Sequence, residues 1–223
     1  VIFHNNVENI RNEFKLMLQQ EQYTSDKTGV KTLEIVNASF IANDNVIFGT
    51  PNQDYIAREL IWYKSQSLNV NDIVGGAPEI WKQIADKDGN INSNYGWCIY
   101  SKENNNQFLN TINELLSNPN SRRAIMIYNR PSMHNDYNQN GMSDFICTNA
   151  VQYLIRDNHV DALVYMRSND AVYGYKNDYA WQRFVLADVV DTLNTPGHTY
   201  NIGKIFWNVA SLHVYERHFK FIL

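Results

Sequence analysis

Between Asp144 and Asp178 the sequence places two β-like runs, 148–156 and 160–168, on either side of the turn Asp157-Asn158-His159, and then a helical pattern over 177–193 bearing Trp181, Phe184, Val185 and Val189. Alternating runs joined by a short polar turn predict a β-hairpin. A hairpin followed by a long helix lacks the strand-helix-strand rhythm of a parallel α/β sheet, so the expected class is α+β. The same stretch carries Cys147, the pair Arg167-Ser168, and the carboxylates Asp170 and Asp178, so several reactive groups surround one hairpin.

Ile10, Phe14 and Met17 have the spacing of an amphipathic helix over 7–22, and 32–48, rich in β-branched and aromatic residues but broken by Asn43-Asp44-Asn45, reads as a second hairpin. A helix is predicted over 52–67, with Ile56, Leu60 and Tyr63 on one side and Glu59 close to it. Pro78 suits the first turn of a short helix bearing Ile80, Trp81 and Ile84. Residues 88–96 read as a polar loop, 104–116 as a helix halted near Asn118-Pro119, 122–128 as a strand, 129–141 as a loop, and 202–221 as a closing strand with Ile205, Trp207 and Val209 alternating.

At 223 residues the chain suits a single domain spanning 1–223. Val1 at one end and the apolar Phe221-Ile222-Leu223 at the other give the expectation that it continues beyond both termini. A net charge of −4 argues against direct nucleic-acid binding, which calls for a basic stripe. Two cysteines are too few for a disulfide scaffold, and no run is long enough to span a membrane, so a cytoplasmic setting is expected.

Few residues carry chemistry unaided. Cys147 becomes a nucleophile if nearby donors stabilise its thiolate, although a cysteine among apolar residues is more often a core filler, a reading stronger still for Cys98. Arg122-Arg123 and Arg167-Ser168 offer guanidinium groups and a hydroxyl suited to a phosphate. His213 and Tyr215, two apart in a strand, share a face. His213, Glu216 and His218 do not have zinc-helix spacing, so no metal is expected, and Gly75-Gly76 lacks the rest of a phosphate loop.

Taken in order, six segments resemble the thymidylate synthase superfamily and, within it, the deoxycytidylate hydroxymethylases of T-even-like bacteriophages. They are Arg58-Glu59-Leu60-Ile61-Trp62-Tyr63, Asn94-Tyr95-Gly96, Pro119-Asn120-Ser121-Arg122-Arg123, Arg167-Ser168-Asn169-Asp170, Gly174, and His213-Val214-Tyr215. The resemblance implies a large twisted mixed β-sheet flanked by helices and a homodimer formed through that sheet. It implies Cys147 attacking C6 of dCMP, with 5,10-methylenetetrahydrofolate as co-substrate. Arg167 and Ser168, with Arg122 and Arg123 from the other subunit and Lys27 in place of a loop arginine, hold the phosphate. His213 and Tyr215 meet the deoxyribose, and Asp170 and Trp81 the folate. Phage nucleotide-synthesis enzymes in an infected bacterium are the implied company.

Two departures from the synthases set substrate and product. Asp178, four residues after Gly174, stands where thymidylate synthases have asparagine. An ionised carboxylate only accepts hydrogen bonds, which suits the amino group of cytosine rather than the carbonyl of uracil. Phe145-Ile146-Cys147-Thr148 replaces the synthases' Pro-Pro-Cys-His, and water capture to a hydroxymethyl group, with Glu59 orienting the water, is the implied outcome. Thymidylate synthesis, dUMP hydroxymethylation and a silent nucleotide-binding homologue are the alternatives.

Overall fold

The structure, a computed structural model, describes residues 5–223. The expectation drawn from Val1 lies outside them. In chain order the elements are α1 (Val7–Gln19), β1 (Thr24–Ser25), β2 (Lys31–Ile41), α2 (Gln53–Ser65), α3 (Glu79–Ile84), α4 (Tyr95–Tyr100), α5 (Gln107–Ser117), β3 (Ile125–Ile127), α6 (Met133–Asp136), β4 (Thr148–Arg156), β5 (His159–Met166), β6 (Asn169–Asp170), α7 (Gly174–Leu193) and β7 (Asn201–Tyr215). The chain divides into two compact units, one running to Pro51 and resuming at Leu154, the other Asn52–Tyr153.

In the first unit β7 is the central strand. It pairs antiparallel with β2, from Thr32↔Tyr215 to Ile41↔Phe206, and parallel with β5 and β6, giving a mixed sheet. Trp181, Val185, Leu186 and Val189 on the buried side of α7, together with Ile205, Trp207 and Val209 of β7, form its core. Each such side chain taken from water contributes about 1.5–3 kcal/mol. The alternation of β7 changes phase after Val209, so that Leu212 and Val214 are buried next. Its partner β2 is irregular at the same level: Asn37, between the pairs Val36–Ser211 and Ala38–Val209, has φ 57°.

The second hairpin expected over 32–48 does not form. The strand ends at Ile41, and the polar residues read as a turn are engaged by α1 instead. Asn43 Oδ1 accepts the Val7 N–H at 3.1 Å, Asp44 pairs with Arg11 at 2.7 Å, and the Arg11 guanidinium also donates to the carbonyls of Val46 and Ile47. Residues 44–47 therefore wrap a buried-side arginine and cannot return as a strand. The expected helix over 177–193 begins earlier, at Gly174, which seats Asp178 just past its first turn.

In the second unit α2 is capped by Asn52, whose side chain accepts from the Tyr55 N–H, and ends at Gln66 in the left-handed conformation. Its buried face carries Ile56, Glu59, Trp62 and Tyr63, so helical periodicity alone turns a carboxylate inward. Residues 88–96, expected as a loop, close with the start of α4, capped by Asn94 accepting from the Trp97 N–H at 2.8 Å. The Asn94 amide also donates to the carbonyls of Trp62 and Ser67, tying α4 to the end of α2. Gly96 makes this approach feasible: a Cβ there would lie 1.8 Å from the Tyr63 carbonyl oxygen. The expected loop over 129–141 contains the single turn α6 and a 3-10 turn, Gln139–Gly141. β3 pairs antiparallel with β4, Ile125↔Gln152 to Ile127↔Ala150.

Candidate active site

Glu59 is a buried carboxylate of the second unit, only 5% exposed. Tyr55, one turn earlier on α2, donates its hydroxyl to Glu59 Oε1 at 2.5 Å. The Trp81 indole N–H donates to the same oxygen at 3.1 Å and to the Tyr55 hydroxyl at 2.8 Å. Burial pushes the Glu59 carboxyl up to about 7, while the two donors pull the other way. The result is a proton-exchanging group near neutrality in a fixed orientation, the property asked of a general acid or base. Trp81, expected at a folate, is thus tied by its N–H to Glu59, with its ring edge-on to Trp62.

Cys147 lies immediately before β4, half-buried, with Sγ 3.9 Å from the Phe145 carbonyl oxygen. Cys98 is fully buried in α4, and its thiol is pushed up to about 12, which removes it as a nucleophile. The segment leading to Cys147 is fastened by Asp144. That buried carboxylate accepts from the Asn92 N–H at 2.7 Å, the Ser93 N–H at 2.8 Å and the Ser93 hydroxyl at 2.6 Å. Arg122 and Arg123 are exposed beside β3; Arg123 forms an ion pair with Glu114 at 3.0 Å, and the Arg122 carbonyl accepts from Gln152.

The first unit holds the other expected residues. Asp178 accepts at Oδ2 from the Asn169 amide at 2.7 Å, and the Asn169 oxygen in turn accepts from the Trp207 indole N–H at 3.3 Å. Asp170 caps the turn into α7, its Oδ1 accepting the Val172 N–H at 2.7 Å, and lies opposite His213 in the β6–β7 pairing. His213 and Tyr215 do share a face, their ring centroids 4.9 Å apart. The His213 Nδ1 lies 3.3 Å from the Ser211 carbonyl oxygen and 3.5 Å from the Ser211 hydroxyl. Arg167 and Ser168, both half-buried, join β5 to β6. Lys27 is exposed on a turn organised by Asp26, which accepts from the Thr28 and Val30 N–H groups.

Three participants escaped the sequence reading. Tyr55 had a usable signal, since it stands four before Glu59 on a predicted helix. Asn169 and Trp207 had none, because their bond joins positions 38 apart. Among the described residues, no group of three or more His, Cys, Asp or Glu is placed to hold a metal ion, and no helix is long and apolar enough to cross a membrane.

The match of residues 11–223 to the thymidylate synthase family model places the chain in that family. Within it, the chain is 56% identical over 218 residues to the deoxycytidylate 5-hydroxymethyltransferases of Enterobacteria phages T6 and T4, covering 97% of this chain and 89% of each relative. The fold is shared with the thymidylate synthase of phage T4 (TM-score 0.75, 21% identity, 95% of this chain and 77% of that one). Thermostable thymidylate synthase A from Bacillus subtilis also shares it (TM-score 0.69, 21% identity, 94% and 81%).

Proposed function

We propose that the protein is a dCMP hydroxymethylase, converting dCMP, 5,10-methylenetetrahydrofolate and water to 5-hydroxymethyl-dCMP and tetrahydrofolate in the cytoplasm of a phage-infected bacterium. The observation that carries this reading is the 56% identity, over 97% of the chain, to relatives bearing that name. Asp178 at the expected base-reading position supports it, as does Glu59 poised near neutrality.

In this reading the Cys147 thiolate adds to C6 of the pyrimidine, and C5 bonds to the one-carbon unit. The C5 proton and tetrahydrofolate leave to give an exocyclic methylene, and the thiolate is expelled as water adds there and the C5–C6 double bond is restored. Asp178 accepts from the cytosine amino group and shares a proton with N3, offsetting negative charge that grows in the ring. Glu59, held by Tyr55 and Trp81, takes a proton from water as its oxygen bonds to the new exocyclic carbon. Arg167 and Ser168 hold the 5′-phosphate, with Lys27 nearby in role, and His213 and Tyr215 hold the 3′-hydroxyl. Binding energy from those unreacting groups positions the base.

The folate supplies a one-carbon unit and is not oxidised. Within the second unit the half-buried Trp81 indole suits stacking on a flat heterocycle, and within the first the Asp170 carboxylate suits a ring N–H, so each residue taken by itself fits such a ligand. Homodimerisation through the sheet, with Arg122 and Arg123 reaching the other subunit's phosphate, is supported by apolar side chains left exposed on strands: Val36 (73%) in the first unit and Ile127 (53%) in the second. Association with phage nucleotide-synthesis enzymes belongs to the same reading.

The test incubates the protein with methylenetetrahydrofolate and either dCMP or dUMP and identifies products by mass. Hydroxymethyl-dCMP is expected; a methylated product, or turnover of dUMP alone, overturns the reading.

A further inference from the structure

Asp178 is oriented from behind by Asn169, and this contact has a direction. Trp207 Nε1 only donates hydrogen bonds, so the amide end facing it, at 3.3 Å, must be the oxygen. The Asn169 NH2 is therefore forced toward Asp178, where it lies 2.7 Å from Oδ2. Neither end can swing away. Asn169 is 3% exposed and Trp207 fully buried, with the Trp207 ring edge-on to Tyr175 at 5.1 Å, and the Asn169 backbone is paired to Leu212 in the sheet.

Gly174 belongs to the same device. A Cβ at this position would stand 3.1 Å from Asn169 Nδ2 and 3.6 Å from Asp178 Oδ2, pressing on both partners of the bond. The absence of a side chain there leaves room for the amide-carboxylate pair at the start of α7.

We infer that Asn169 is a positioning residue for pyrimidine selection: through the Trp207–Asn169–Asp178 chain it fixes the rotation of the Asp178 carboxylate and keeps it an acceptor, favouring a 4-aminopyrimidine nucleotide over a 4-oxo one. This rests on the reading above that Asp178 faces the base. An amide donating to a carboxylate stabilises its ionised form. A carboxyl free to rotate can turn an O–H toward a 4-oxo group, which the directed Asn169 N–H opposes. An aspartate at 169 would place like charges together and lose the directed N–H.

The test is a double-mutant cycle read by calorimetric binding of dCMP and dUMP to the full chain, which needs no turnover. Asn169→Ala is expected to lower the dCMP-over-dUMP affinity ratio about tenfold. In the Asp178→Asn background the same change should move the ratio by less than about twofold, since the carboxylate it acts through is gone. Trp207→Phe, which keeps most of the packing, should lower the ratio a few-fold and serves if Asn169→Ala does not fold. Asn169→Ser, retaining a donor, should recover part of the ratio.

Equal weakening toward both nucleotides, or an undiminished ratio change in the Asp178→Asn background, overturns the inference. A protein that prefers dCMP but yields no hydroxymethyl product sinks the proposed reaction while leaving this inference standing. A protein without any preference for dCMP sinks both.

Discussion

Glu59 on α2 and Asp178 on α7 are both helical carboxylates fixed by hydrogen bonds that lead to a tryptophan N–H, yet their surroundings differ. Glu59 is buried and receives a phenol and an indole on one oxygen, and desolvation lifts it to about 7. Asp178 is half-buried and receives an amide, itself oriented by Trp207. A carboxylate starved of solvent exchanges protons at neutral pH; one that keeps solvent and a neutral donor serves as a fixed acceptor. In the proposed reaction the same functional group would serve two tasks, proton transfer and base selection.

The largest effect expected from breaking this contrast is on Glu59. Glu59→Gln keeps an oxygen for both donors but cannot exchange a proton, and the rate of hydroxymethyl product should fall about 10²–10⁴-fold, measured by quenched-flow product analysis. Stability should change in the opposite sense. The folded-state value near 7 lies above the ordinary 4.5, so the unfolded chain ionises first and wild-type stability declines as pH rises between those values. The glutamine variant lacks that decline and should gain about 1–3 kcal/mol over wild type at pH 8 relative to pH 5 by urea unfolding. An equal difference at both pH values would mean that Glu59 is not buried as a charge.

Changing the other carboxylate should alter choice more than rate. Asp178→Asn should shift kcat/KM from dCMP toward dUMP by about ten- to two-hundred-fold, the range for mispairing a buried polar edge. A parallel loss for both nucleotides would make Asp178 a structural group. The smallest effect sharpens the comparison: Tyr55→Phe removes a donor that lowers the Glu59 value, so the acid limb of the kcat–pH profile, which needs ionised Glu59, should move upward from about 7 with a several-fold loss of rate at pH 7. An unmoved limb would assign the titration elsewhere.

Much of this was legible in the sequence, for identifiable reasons. Glu59 and its neighbours obey helical spacing, and the hairpin around Asp157-Asn158-His159 is local, so periodicity and turn chemistry suffice. The segment 43–45 misled because its polar residues look like a turn, while their partners, Val7 and Arg11, lie more than thirty positions away. α4 was hidden because Asn94 and Gly96 owe their use to the carbonyls of Trp62 and Tyr63. The site followed the same rule. Residue types pointed to candidate groups, but the orienting bonds, Trp81 to Glu59 and Trp207 through Asn169 to Asp178, exist only once distant segments have met.

That base choice and water capture reside in separate carboxylates is tested most directly by the mass of the product that the Asp178→Asn variant makes from dUMP and methylenetetrahydrofolate. The predicted product is 5-hydroxymethyl-dUMP, because Glu59 and its donors are untouched. A methylated product, or undiminished preference for dCMP, would contradict the separation.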